Sequence, residues 1–132
     1  MRADKDVLKR LAVSASENAY APYSGFRVGA AVCASGRYYC GCNVENASYG
    51  LTVCAERNAI AAAVADGSRK PEAVCVYSPS GEPMPCGACL QVIAEFGSDC
   101  TVIVCGPDGD KEYSLKELMP KAFALSDKEN YR

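Results

Sequence analysis

The sequence predicts an α/β protein, a three-layer α/β/α sandwich around a mixed five-stranded sheet. Three observations lead there. Short apolar, strand-like segments alternate with helix-patterned ones along the chain. The strongest helix pattern, 52–65, consists largely of small side chains that suit close packing on a sheet. The chain has 132 residues, 49% hydrophobic and 23% charged, which is enough for one buried core and reads as a single domain over 1–132.

Each element has its own signal. Val7, Leu8, Leu11, Ala12 and Ala15 recur on one helical face, so 5–20 reads as a helix, with Asp4 or Asp6 near its start and Ala21-Pro22 at its end. Phe26 to Cys33 alternates larger apolar residues with mostly small ones, as a strand does. Ser35-Gly36 supplies a tight turn, and 37–44 returns as the second strand of a hairpin. The helix over 52–65 stops at Gly67. Ala73 to Tyr77 is a short buried strand, and 78–85 is a Pro/Gly-rich loop. Cys86 to Phe96 is a helix ended by Gly97, and Thr101 to Cys105 is another buried strand. A Gly-Pro-Asp-Gly turn leads to a last strand at 111–113. Ser114 to Met119 is a short helix opened by a capping box, Ser114 with Glu117.

Composition removes several chemistries. The chain has no histidine, so Ser-His-Asp triads, Cys-His dyads and histidine-based zinc motifs are excluded. A general base then has to be Asp, Glu, Lys, Tyr or Cys. A net charge of -2 offers no broad basic surface for a phosphate backbone, so nucleic acid is not an expected partner. No run of about 18 or more apolar residues encodes a membrane span, and the charged segment Met1 to Asp6 lacks the apolar core of an export signal. The nine cysteines cannot all pair. A cytoplasmic setting, where thiols stay reduced, is the expectation.

Two short pieces carry the chemistry: Cys54-Ala55-Glu56, and Pro85-Cys86-Gly87-Ala88-Cys89. Either alone is weak, because a cysteine-rich chain makes such spacings by chance. Their placement strengthens both, since each sits in the first turn of an expected helix. A helix N-terminus carries free N–H groups and partial positive charge, which favour thiolate. Cys86 and Cys89, three apart, can address one ion, and Cys54 can supply a third sulfur. Three thiolates on Zn²⁺ leave one position open, the catalytic rather than the closed structural arrangement. Glu56 is then the proton carrier beside the metal. Arg57 is either a donor to the sulfurs or an ordinary exposed helix residue. A closed zinc module and a Cys-x-x-Cys redox site are the readings from other classes.

The chain resembles the small, homotetrameric class of zinc-dependent cytidine deaminases. The likeness runs through Ala21 to Ala31, Gly41 to Tyr49, Cys54 to Arg57 and Pro85 to Cys89. It continues through Glu117 to Pro120 and Ala122-Phe123. The resemblance implies one Zn²⁺ per chain on Cys54, Cys86 and Cys89. It implies hydrolysis of cytidine and deoxycytidine to the uridines, as in pyrimidine salvage, with Glu56 moving the protons. It implies that Phe26 packs on the pyrimidine and that the backbone near Ala55 and Cys86 holds the ring edge. Asn43 and Glu45 would grip the 3′-hydroxyl. Tyr49, with the segment from Ala47, and Phe123 would meet the pocket at a subunit boundary of a homotetramer. The alternative substrates are a free base, a nucleotide, a modified nucleoside antibiotic or a nucleic acid. Against these the Asn43/Glu45 pair favours a bare nucleoside, since a carboxylate repels a phosphate. The family commonly has arginine directly after the last zinc cysteine; this chain has Leu90, which leaves Arg57 to offset the sulfur charge. The remaining cysteines, Cys33, Cys40, Cys42, Cys75, Cys100 and Cys105, read as buried thiols.

Overall fold

The computed structural model of the chain describes residues 3–125, so Met1-Arg2 and 126–132 of the expected 1–132 unit lie outside it. Five strands form one sheet in the order β2-β1-β3-β4-β5. They are β1 (Gly29–Ala34), β2 (Arg37–Cys42), β3 (Pro71–Tyr77), β4 (Thr101–Gly106) and β5 (Gly109–Ser114). Among the described residues β3 and β4 are the one neighbouring pair of strands that is parallel; the other neighbouring pairs are antiparallel. Helix α1 (Lys5–Ser16) lies on one face of the sheet. Helices α2 (Ala55–Ala65), α3 (Gly87–Phe96) and α4 (Leu115–Leu118) lie on the other.

Strand alternation explains the two cores. Ala30, Val32, Val74, Val76, Val102 and Val104 point to the α2–α3 face and pack with Ala59, Ile60 and Ile93. Their neighbours Ala31, Cys33, Cys75, Ile103 and Cys105 point to the α1 face and meet Leu8 and Ala12. Strands β1, β3 and β4 are covered on both faces, so β1 is buried at all six positions. Full burial of a side chain such as Leu8 contributes about 2–3 kcal/mol.

Two glycines set how closely the helices approach. A Cβ on Gly29 would lie 1.9 Å from the Ala12 carbonyl oxygen of α1. One on Gly41 would lie 2.5 Å from the Ala59 nitrogen and 2.7 Å from the Ala55 oxygen of α2. Helix α2 therefore rests with its backbone against the edge strand. The hairpin turn is as expected: Ser35 and Gly36 both have positive φ, 54° and 75°, the type I′ geometry that matches strand twist.

Several boundaries differ from expectation, each for a hydrogen-bonding reason. Helix α1 ends at Ser16, before Pro22. Tyr20 has already left it, donating to the Asn43 carbonyl and accepting from the Glu45 N–H. Strand β1 starts at Gly29 because Val28 N–H and Phe26 C=O bond the Asn43 side chain instead of a ladder. Helix α2 starts at Ala55, since Val53 is exchanging backbone bonds with Val44. Strand β5 is longer than expected, and the Ser114–Glu117 capping box is present. Two cysteine assignments are corrected. Cys40 is exposed and Cys42 half-buried, because both lie on edge strand β2, on the side that α1 only partly covers. Among the described residues no helix is long and apolar enough to cross a membrane.

Candidate active site and metal centre

Cys54 and Cys86 play the same structural role. Each is the N-cap of its helix, with extended backbone (φ -72°, ψ 156° and φ -74°, ψ 169°) and no side-chain cap bond. Their side chains are thus free to turn away from the helix ends. Cys89 is the third residue of α3 and is buried. Because α2 and α3 begin side by side, the three sulfurs converge. Cys54 Sγ is 3.9 Å from Cys86 Sγ, and Cys86 Sγ is 3.5 Å from Cys89 Sγ. All three lie within 4.8 Å of one another. Sulfurs on a tetrahedral zinc sit about 3.8 Å apart, given Zn–S bonds of about 2.3 Å, so the donor set fits that ion. Among the described residues this cluster has three members, one short of a closed structural site. The third sulfur also separates it from a two-cysteine redox motif.

The thiols are coupled. Cys54 is pulled down to about 5, chiefly by a hydrogen bond from Cys89, with Arg57 and Cys86 adding to it against burial. Cys89 is pushed up, first by that same bond to Cys54 and then by burial. A bound divalent cation deprotonates such thiols outright. Arg57 is half-buried, and its Nη2 reaches Cys54 Sγ and the Thr52 carbonyl, each at 3.5 Å. Among the described residues its buried Nε has no hydrogen-bond partner. Arg57 thus lies within hydrogen-bonding distance of a site sulfur. Leu90 is buried in the apolar cluster between the helices and the sheet, so no charge enters from that position.

Glu56 follows in the first turn of α2, only 4% exposed. Burial first, and then the charge on Cys54, push its carboxyl up to about 7. That is the range in which one group can both take and give a proton near neutral pH.

A cleft of about 220 Å³ opens in front of these groups. Phe26, Asn43, Glu45, Cys54, Ala55, Glu56 and Cys86 all line it. Cys89 sits behind it. Ser24, Val28, Thr52, Pro83 and Met84 also line it, and sequence reasoning had given none of them a role. The Pro-rich approach to α3 was the available signal for Pro83 and Met84. Asn43 is buried and spans the chain opposite: its Oδ1 accepts from Val28 N–H at 2.9 Å, and its Nδ2 donates to the Phe26 carbonyl at 2.8 Å. Two expected residues are elsewhere within this chain. Tyr49 is 78% exposed and lines a neighbouring depression with Tyr23 and Glu45. Phe123 is 71% exposed, and its carbonyl accepts from Gln91 Nε2 at 2.8 Å.

Comparison with known proteins agrees with this geometry. Residues 2–105 match the model for the cytidine and deoxycytidylate deaminase zinc-binding region, a span that contains all three cysteines. A cytidine deaminase of Halalkalibacterium halodurans is 44% identical over 128 residues, 94% of this chain and 97% of that protein. One from Sporosarcina psychrophila is 47% identical over 128 residues, 92% and 94% of the two chains. Among solved structures, the crystal structure of cytidine deaminase from Burkholderia pseudomallei superposes with a TM-score of 0.86 at 42% identity. It covers 92% of this chain and 100% of that one. Three converging thiols, a buried glutamate beside them and a match across most of the chain lead to one assignment: the chain belongs to the cytidine and deoxycytidylate deaminase zinc-binding family.

Proposed function

We propose that this protein hydrolyses cytidine and 2′-deoxycytidine to uridine and 2′-deoxyuridine, releasing ammonia, as in pyrimidine salvage. The observation that carries this reading is the position of Glu56, buried in the cleft wall next to three sulfurs that fit one zinc ion. Cys54, Cys86 and Cys89 would hold that ion. When bound, zinc supplies a Lewis acid that makes a water nucleophilic near neutral pH.

The chain's own residues handle the protons and the substrate. Glu56 accepts a proton from the water that attacks C4. It delivers that proton to N3, then takes the second proton from the hydroxyl newly added at C4 and passes it to the departing 4-amino group, which leaves as ammonia. Arg57 offsets part of the sulfur charge through its bond to Cys54. The free N–H of Ala55, in the first turn of α2, faces a carbonyl on the ring edge. Phe26 packs on the pyrimidine. Asn43 and Glu45 receive the 3′-hydroxyl, a contact indifferent to the 2′ position. A carboxylate there opposes a phosphate on that side of the sugar.

The reading extends to a homotetramer in the cytoplasm. Tyr49 and Phe123, both strongly exposed and apolar, would meet a neighbouring subunit's cleft. A reducing setting suits a site that needs three free thiols. The test is an ultraviolet assay on purified, zinc-replete protein. Loss of cytidine matched by equal uridine and ammonia is expected; no conversion at millimolar cytidine would refute the reading.

A further inference from the structure

Glu45 is held far more tightly than a residue at the rim of a cleft needs to be. Its Oε1 accepts from the Tyr23 N–H at 2.9 Å and from the Ser24 N–H at 3.1 Å. Its Oε2 accepts from the Ser24 hydroxyl. A carboxylate oxygen has room for about two donors, so Oε1 is filled and Oε2 keeps one acceptor position. Ser24 is spent as well. Its single hydroxyl hydrogen goes to Glu45, and its oxygen accepts from the Phe26 N–H at 3.0 Å. Ser24, Phe26 and Glu45 all line the cleft, yet Ser24 has no hydrogen left for a ligand.

We propose that Ser24 is a positioning residue: its hydroxyl fixes the second oxygen of Glu45 so that one acceptor position is presented to a single sugar hydroxyl of the substrate. This rests on the reading that Glu45 faces the 3′-hydroxyl. Two backbone N–H groups converge on Oε1 and leave the terminal torsion of a glutamate, which is broad, free to swing Oε2. The Ser24 hydroxyl removes that freedom. It also ties the sugar side of the cleft to Phe26, whose carbonyl is held at its other end by Asn43. The same contact, as first cause, holds the Glu45 carboxyl below its ordinary range, which keeps it an acceptor only.

The experiment measures kcat/KM for cytidine and for 3′-deoxycytidine on zinc-replete parent, S24A and S24T. The parent alone tests the sugar reading: equal values on the two substrates refute it and remove the basis of this inference. Given a parent preference for cytidine, S24A should cut that preference about tenfold, the scale of one charge-assisted hydrogen bond. S24T, which keeps the hydroxyl, should hold it within about twofold of the parent. A preference unchanged in S24A, or lost equally in S24T, overturns the positioning role. A merely structural serine would lower both substrates alike.

Discussion

The sulfurs of Cys54 and Cys86, 32 positions apart in the chain, lie 3.9 Å from each other because each caps its own helix at the same end of the sheet. That relationship makes the centre depend on two helix starts rather than on a loop. Cys54→Ala or Cys86→Ser should each lose most of the zinc and the turnover together. Elemental analysis alongside the cytidine assay checks this, and full zinc occupancy in both variants would contradict it.

Metal removal gives a second expectation. Extended dialysis against a strong chelator should abolish turnover, and Zn²⁺ should restore it. Deamination that persists in protein shown to be metal-free would show that the three sulfurs are not part of the catalyst.

Among the described residues Arg57 is the single cation seen bonded to a site sulfur, and position 90 is apolar. Arg57→Gln should weaken zinc retention or turnover by about 10- to 100-fold, the usual range for a residue that orients a metal ligand. Competition with a chromogenic chelator measures the first, and steady-state rates measure the second. Unchanged values in both would assign Arg57 a purely structural role.

Gly41 predicts a coupling between packing and catalysis. A methyl group there meets the α2 backbone at 2.5 Å, so Gly41→Ala has to push away the helix that carries Glu56 and follows Cys54. Overpacking of this kind costs about 1–3 kcal/mol. Thermal melting should show that loss, with a drop in kcat that refolding or added zinc does not recover. A variant with parental melting and parental kcat would mean that α2 yields freely.

Much of the fold was legible because its signals are local. The Ser114–Glu117 capping box, the Ser35-Gly36 turn and the alternation in β1 each follow from residues a few positions apart. The convergence of Cys54, Cys86 and Cys89 followed from helix starts, spacing and a resemblance together. What stayed hidden depends on side chains replacing backbone. Asn43 bonds Phe26 and Val28 where strand pairing was expected, and no periodicity reveals that. Ser24 drew no reading of its own, because its partner, the Glu45 carboxylate, lies 21 positions away in the chain. Cys40 and Cys42 were misjudged because a sequence does not say which strand is the edge or where α1 stops covering it.

In the proposed reaction Glu56 moves the protons of a zinc-dependent cytidine hydrolysis. The most direct test compares zinc-replete parent and Glu56→Gln protein, at matched metal content, in the ultraviolet cytidine assay. Full metal occupancy is expected in the variant, with turnover lower by about 10²- to 10⁴-fold. Conversion of cytidine by Glu56→Gln at the parental rate would contradict it.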